Sequence, residues 1–186
     1  MKRLIDLILS LVLAVFLLLP ILVIAVLIKL TSKGPVIYWS DRVGKKNTIF
    51  KMPKFRTMDE CTPPVATHLL ADPNSALTPT GNFLRKLSLD EIPQLWSIIK
   101  GDMSLVGPRP ALFNQDELIV LRTKQCVHNL MPGLTGWAQI NGRDELSIPQ
   151  KVDFDVEYLN QQSLWMDIKI LGLTSIKILV KSGVSH

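Results

Sequence analysis

The adjacent carboxylates Asp90 and Glu91, in Leu87-Ser88-Leu89-Asp90-Glu91-Ile92-Pro93-Gln94-Leu95, are the pair in this sequence best suited to chemistry. A helix is predicted to start near Ser88 and run to a Gly101 stop, with Pro93 in its first turns, where a missing amide hydrogen is tolerated. Asp90 then stands at the positive end of the helix dipole, which lowers its pKa and keeps the carboxylate ionised. Such a group suits a nucleophile or a metal ligand. Ser88-x-x-Glu91 also matches a capping box, a purely structural use of Glu91 that leaves Asp90 unexplained. Four arginines share turn-rich contexts: Arg56 in Lys54-Phe55-Arg56, Arg85 in Leu84-Arg85-Lys86, Arg109 between Pro108 and Pro110, and Arg143 after Asn141-Gly142. A guanidinium fixed by neighbouring turns loses little entropy on gripping phosphate bidentately, though each alone reads equally as a solvated charge.

Several other chemistries lack their residues. Gly101 to Gly107 has no Gly-Lys-Ser/Thr ending, so it is not a Walker loop. Cys61 and Cys126 are far apart and have no second Cys or His at zinc-ligand spacing, which leaves two reduced thiols as the expectation. His68, His128 and His186 show no Ser/His/Asp arrangement. Lys and Arg number 21 against 16 Asp and Glu, a net charge of +5. The basic excess is scattered, without a basic stripe and interleaved aromatics, so no nucleic-acid partner is expected. An anionic membrane or a phosphate-bearing substrate accounts for it better.

The elements that must position these groups fit one domain plus an appendage in 186 residues. Leu4 to Ile28 holds 19 Leu, Ile or Val, two Ala and one Phe, interrupted only by Asp6, Ser10 and Pro20. It is too long for a secretory signal and is expected to be retained. A straight helix over it would measure about 37 Å, enough to cross a ~30 Å hydrocarbon core. Pro20, however, breaks it mid-segment, and the flanks carry the same sign, with Lys2 and Arg3 before and Lys29 and Lys33 after. A helix bent at Pro20 that enters and leaves by one leaflet satisfies both observations; a kinked span is the alternative. Residues 1–32 are thus read as a membrane-inserted helix-break-helix and 33–186 as a membrane-associated catalytic domain.

In that domain Val36-Ile37-Tyr38-Trp39 and Thr48-Ile49-Phe50 read as a short β-hairpin around a polar turn. Thr62 to Thr80 is a Pro-rich loop, and Asn82 to Lys86 a helical turn. Turns follow at Gly107 to Pro110 and Pro132 to Gly136, with helices at Leu112 to Leu130 and Gln150 to Gln161. Leu164 to Lys181 mixes apolar residues with lysines in a pattern that fits an interfacial amphipathic helix or a core-packed one. The expected fold class is α+β, mainly helical.

Four stretches in order carry a resemblance. They are Lys54-Phe55-Arg56-Thr57-Met58, the Leu87 to Leu95 segment, Lys100-Gly101-Asp102-Met103-Ser104-Leu105-Val106-Gly107-Pro108-Arg109-Pro110, and Pro132-Gly133-Leu134-Thr135-Gly136-Trp137-Ala138-Gln139-Ile140-Asn141-Gly142-Arg143. Together they resemble the bacterial sugar transferase family, the monotopic phosphoglycosyl transferases, and in length the small PglC-like members. The resemblance implies transfer of a phospho-sugar from a UDP-sugar to polyprenol (undecaprenyl) phosphate with release of UMP. It implies Asp90 as nucleophile, Asp90 and Glu91 at a required Mg²⁺, and Lys54, Arg56, Arg85, Arg109 and Arg143 as substrate- and phosphate-binding residues. It also implies the re-entrant hairpin broken at Pro20, on the cytoplasmic face of a bacterial inner membrane. Further partners it implies are membrane lipid, a second copy of the chain and downstream glycosyltransferases. The sequence departs from the family pattern at Leu19-Pro20, where short relatives often have Ser-Pro. It departs again at Ser40-Asp41-Arg42-Val43-Gly44, in place of Gln-x-Arg-x-Gly, and at Pro53, where an aromatic is common. Two other readings compete: a catalytically silent membrane adaptor, and a nucleotide-sugar pyrophosphatase that needs no lipid acceptor.

Overall fold

The computed structural model describes residues 1–59, 62, 76–142 and 145–180. Arg143, Cys61, His68 and His186, with most of the Pro-rich stretch before Thr80, lie outside the described residues. In chain order the elements are α1 (Lys2–Phe16), α2 (Leu18–Thr31), β1 (Ile37–Val43), β2 (Ile49–Phe55) and α3 (Gly81–Lys86). A 3₁₀ segment (Leu89–Gln94) then leads into α4 (Leu95–Lys100), β3 (Ser104–Val106) and α5 (Asp116–Lys124). β4 (Gly133–Thr135), α6 (Trp137–Ile140), α7 (Ile148–Gln161) and α8 (Leu164–Val180) complete a mainly helical α+β fold.

α1 and α2 meet at Leu17 with a 60° bend. The bend thus lies three residues before the expected break at Pro20. The proline ring crowds the carbonyl of residue 16, four positions back, and its nitrogen has no hydrogen to donate there. Pro20 itself lies in the first turn of α2, where helix amides lack partners in any case. α2 runs on to Thr31, so the arms are nearly equal, about 22 and 21 Å at 1.5 Å per residue. No single helix among the described residues is long and apolar enough to cross a membrane, whereas the bent pair together is.

The polar residues of α1 face the protein. Asp6 and Ser10 are buried, and Asp6 accepts from Ser104 Oγ at 2.8 Å and from the Leu105 amide at 3.3 Å. Lys2 donates to Asp167 at 2.6 Å and to the Val106 carbonyl at 3.1 Å, while Arg3 donates to the Ile98 and Ile99 carbonyls at the end of α4. The two cations that read in sequence as flanking charges therefore clamp α1 to the domain. α2 is held at its other end: Ile24 and Ile28 pack with Phe55 and Leu84, and Ser32 Oγ accepts from Arg56 at 2.8 Å. What remains outward on the pair is apolar, most of all around the bend, where Val15, Phe16, Leu18 and Leu19 are exposed.

β1 and β2 pair antiparallel, Ile37 opposite Phe55 and Val43 opposite Ile49, extending well beyond the expected hairpin into polar residues. A cross-strand Lys51–Asp41 pair at 3.0 Å supports that extension, and Pro53 is accommodated because a two-stranded ribbon has free edges. β3 and β4 pair in parallel, and this crossing requires glycine: a Cβ on Gly133 would lie 2.1 Å from the Gly107 nitrogen, and one on Gly136 would lie 2.1 Å from the Gly107 carbonyl oxygen.

The single helix expected over Leu112 to Leu130 is shorter. Cys126, in the left-handed conformation (φ 60°), ends the helical run after α5 and starts a separate turn, Val127–Asn129. α7 begins before Gln150, because Ser147 and Gln150 form a reciprocal capping box and Pro149 stands in the first turn. α8 packs one face into the core, Met166 and Ile170 meeting Tyr158, Ile98 and Leu105, and leaves Trp165, Ile168 and Ile176 exposed.

Candidate active site

Asp90 and Glu91 lie in the 3₁₀ segment between α3 and α4. Ser88, the residue before it, is left-handed (φ 54°) and makes no side-chain cap, so the capping box expected from Ser88-x-x-Glu91 does not form. That turn sends Leu89 and Ile92 into the apolar layer beneath α2. The two carboxylates are left to meet cations from three other places in the chain.

Lys54, near the end of β2, places Nζ 2.9 Å from Glu91 Oε1 and 3.6 Å from Asp90 Oδ2. Arg109 Nη2 is 2.6 Å from the same Glu91 oxygen. Arg85 projects from α3, and its Nε donates to Thr57 Oγ1 at 2.9 Å. Asp90 is buried. Burial pushes its carboxyl above the ordinary carboxylate range, and the Glu91 charge adds to this; Lys54, Arg85 and Arg109 pull it back down. The lowered pKa expected from a helix dipole is thereby corrected, since desolvation outweighs the field of so short a segment.

A second layer fixes Arg109. Arg122 Nη1 donates to the Arg109 carbonyl at 2.7 Å, and Arg122 is itself held by buried Asp155 at 2.7 and 2.9 Å. Arg42 donates to the Pro110 carbonyl at 3.2 Å and to Ser40 Oγ at 3.0 Å. Burial first, then the nearby Arg109 charge, takes its pKa down to about 10. Cations packed this closely around two carboxylates, in a partly dry site, have the chemistry to bind a multiply charged anion.

The sequence profile of a family described as bacterial sugar transferase matches residues 1–181. The chain belongs to that family. Its members include an uncharacterized sugar transferase, EpsL, of Bacillus subtilis (strain 168), 42% identical over 100% of this chain and 91% of that protein. A UDP-glucose:undecaprenyl-phosphate glucose-1-phosphate transferase of Escherichia coli (strain K12) is 40% identical over 95% of this chain and 40% of its own length. A UDP-N-acetylgalactosamine-undecaprenyl-phosphate N-acetylgalactosaminephosphotransferase of Aeromonas hydrophila is 38% identical over 98% of this chain and 44% of its own length. The chain thus spans less than half of these two longer relatives.

In this family member Lys54, Arg85 and Arg109 are the sequence-predicted cations that act on Asp90. Arg56 is buried and ties β2 to the end of α2 through Ser32. Arg143 lies outside the described residues. Sequence reading assigned no site role to Arg42 or to the Arg122–Asp155 pair. Arg42 was legible in Ser40-Asp41-Arg42-Val43-Gly44, whereas nothing in the residues between Arg122 and Asp155 signals that the two meet across α5 and α7.

Among the described residues no group of three or more His, Cys, Asp or Glu stands together. Asp90 and Glu91 are the adjacent carboxylates that could hold a magnesium ion, which characteristically takes one or two carboxylates and completes its shell with water and substrate phosphates.

Proposed function

We propose that the chain transfers a sugar-1-phosphate from a UDP-sugar to undecaprenyl phosphate and thereby initiates a membrane-linked glycan. The observation that carries this reading is a buried, under-paired Asp90 beside Lys54, Arg85 and Arg109, in a chain whose relatives bear the names of that reaction. Asp90 attacks the phosphorus bonded to the sugar, the bond to the UMP oxygen breaks, and UMP leaves with the electron pair. The phosphate of the lipid then attacks the same phosphorus and frees the Asp90 carboxylate, giving a polyprenol diphosphate sugar. Lys54 and Arg109 orient the diphosphate and neutralise charge on its oxygens, and Arg85 adds a further positive charge near Asp90. Asp90 and Glu91 would hold Mg²⁺, which supplies further charge neutralisation on the diphosphate. Mixing the protein with UDP-sugar and Mg²⁺, without lipid, is expected to add one phospho-sugar to the intact mass. Asp90→Asn should show none, and an unchanged adduct there would sink the assignment. A silent adaptor would release no UMP, and a pyrophosphatase would release it without lipid turnover.

The reading includes a monotopic placement on the cytoplasmic face of the inner membrane. Both ends of the α1–α2 pair are fastened to one domain, through Lys2–Asp167 and Arg3–Ile99 at one end and Ser32–Arg56 at the other, with the apolar bend pointing away. A pair so tethered enters and leaves by one face. A cysteine placed before Lys2, in a background lacking Cys61 and Cys126, should resist an impermeant thiol reagent in intact cells; labelling would mean a full span.

A further inference from the structure

The apolar run Leu4 to Ile28 contains one acid, Asp6. A buried carboxylate costs free energy unless it is hydrogen-bonded, whereas a leucine at the same place would not. Asp6 is buried and both of its oxygens are engaged: Oδ2 accepts from Ser104 Oγ at 2.8 Å and Oδ1 from the Leu105 amide at 3.3 Å. Both donors belong to β3. Lys2, one turn earlier on α1, ties the same strand through the Val106 carbonyl at 3.1 Å.

Arg109 follows Val106 by three residues, and the backbone between them has little slack. The Gly107 amide donates to the Thr135 carbonyl at 2.9 Å, and the Pro108 carbonyl accepts from the Gly133 amide at 2.9 Å. A Cβ on Gly107 would lie 2.2 Å from the Met131 carbonyl oxygen. A displacement of β3 is therefore passed on to Arg109 rather than absorbed on the way. The carboxylates that Arg109 must meet are tied to the same helix. The 3₁₀ segment holding Asp90 and Glu91 runs directly into α4, whose last carbonyls, those of Ile98 and Ile99, accept from Arg3. The first two turns of α1 thus hold both arms of the site, α4 through Arg3 and β3 through Asp6 and Lys2. The Arg109–Glu91 contact at 2.6 Å closes across those arms.

We infer that Asp6 is a positioning residue of the transferase site, its bonds to Ser104 and Leu105 setting the place from which Arg109 reaches Glu91 and the substrate diphosphate. The inference rests on the proposed reaction in one respect, that Arg109 orients the diphosphate. Asp6 touches no substrate and acts through β3. An Asp6 that only fastened α1 to the domain would act independently of Arg109, and the two losses would multiply. An Asp6 that acts through Arg109 has little left to lose once that side chain is gone.

The test is a double-mutant cycle on the full chain in lipid nanodiscs, with Asp6→Leu, Arg109→Ala and the pair. It is read as kcat/KM for UDP-sugar and as calorimetric affinity for inorganic pyrophosphate with Mg²⁺; thermal unfolding reports folding. Asp6→Leu should lower kcat/KM about tenfold or more, as a misplaced orienting group does. The double variant should lie within about threefold of Arg109→Ala alone in both readouts. Asp6→Asn keeps an acceptor for the Leu105 amide and a donor for Ser104 Oγ, so it should restore activity to within about threefold of wild type. If Asp6→Leu does not fold, Ser104→Ala takes its place in the same cycle, with a smaller loss and the same non-additivity. Wild-type kcat/KM in a folded Asp6→Leu, or losses that multiply in the double variant, would overturn the positioning role. If wild type transfers nothing to polyprenol phosphate but its pyrophosphate affinity shows the non-additive pattern, the transfer reaction fails and the positioning role stands. If wild type transfers and the losses multiply, the positioning role fails alone. A wild type that neither transfers nor binds pyrophosphate overturns both.

Discussion

Two buried aspartates, Asp90 and Asp155, sit in the same domain, and burial pushes both above the ordinary carboxylate range. Their partners differ. Asp155 is gripped by a single dedicated guanidinium, Arg122 donating through Nε and Nη2 at 2.9 and 2.7 Å to one oxygen. Asp90 has Lys54 at 3.6 Å, and that ammonium stands closer to Glu91. The same desolvation therefore accompanies a close ion pair in one case and a loosely paired carboxylate in the other. Burial alone therefore does not distinguish the proposed nucleophile; what differs is the absence of a guanidinium committed to it.

Exchanging the two carboxylates for amides should separate these roles most sharply. Asp90→Asn is expected to abolish turnover and adduct formation while raising the unfolding midpoint at neutral pH, since Lys54 and Arg109 keep Glu91 as a partner. The sign follows from linkage: a carboxyl whose folded pKa lies above its unfolded value costs stability once pH exceeds the unfolded pKa. The gain in midpoint should fade as pH falls through the folded pKa and be gone below the unfolded pKa, and a lowered midpoint at pH 7 would show Asp90 to be a structural partner. Asp155→Asn strands the Arg122 charge, and Arg122→Ala strands Asp155. Either should cost about 3–5 kcal/mol of stability in denaturant titration, the usual result of breaking a buried pair. Protein that still folds should still form the adduct.

Arg109→Ala comes next in size. Loss of one charge-assisted contact, worth about 1.5–3 kcal/mol, should lower kcat/KM at least about tenfold. Its melting profile should stay close to wild type, because the Arg109 backbone carbonyl still accepts from Arg122. Wild-type turnover would leave the side chain as a structural partner of Glu91 alone. The smallest effect belongs to Lys54→Met. Lys54 is the strongest of the cations lowering the Asp90 pKa, so its removal should shift the acid limb of kcat/KM to higher pH. A limb that stays put would mean that Asp90 does not titrate in the free enzyme.

Much of this was readable in the chain order of residue types. The apolar Leu4 to Ile28 run with its proline, the Asp90-Glu91 pair, the Gly101 stop and the arginines in turns are all local patterns, governed by neighbours within a few residues. Helix and turn tendencies act over that range, so the α3–α4 region and α7 fell close to where they were expected. Boundaries failed where long-range contacts set them. β1 and β2 extend through polar residues because each strand supplies the other's hydrogen bonds, and Cys126 ends the helical run with a left-handed turn that no residue preference signals.

What the sequence by itself determined is the cast: a bent apolar hairpin, a carboxylate pair, and several arginines and lysines with no partner in reach along the chain. Which cation meets which carboxylate was decided only by the tertiary structure. Lys54 and Arg109 are brought to Glu91 by the β-hairpin and by the glycine-lined crossing of β3 and β4, and Arg122 is brought to Asp155 by the packing of α5 on α7. Lys2 and Arg3 illustrate the same limit, reading as topological charges in sequence and serving as clamps in the fold. The physical reason is range. Backbone preference is local and survives in the sequence, whereas desolvation and ion pairing depend on what the rest of the chain places within a few ångströms.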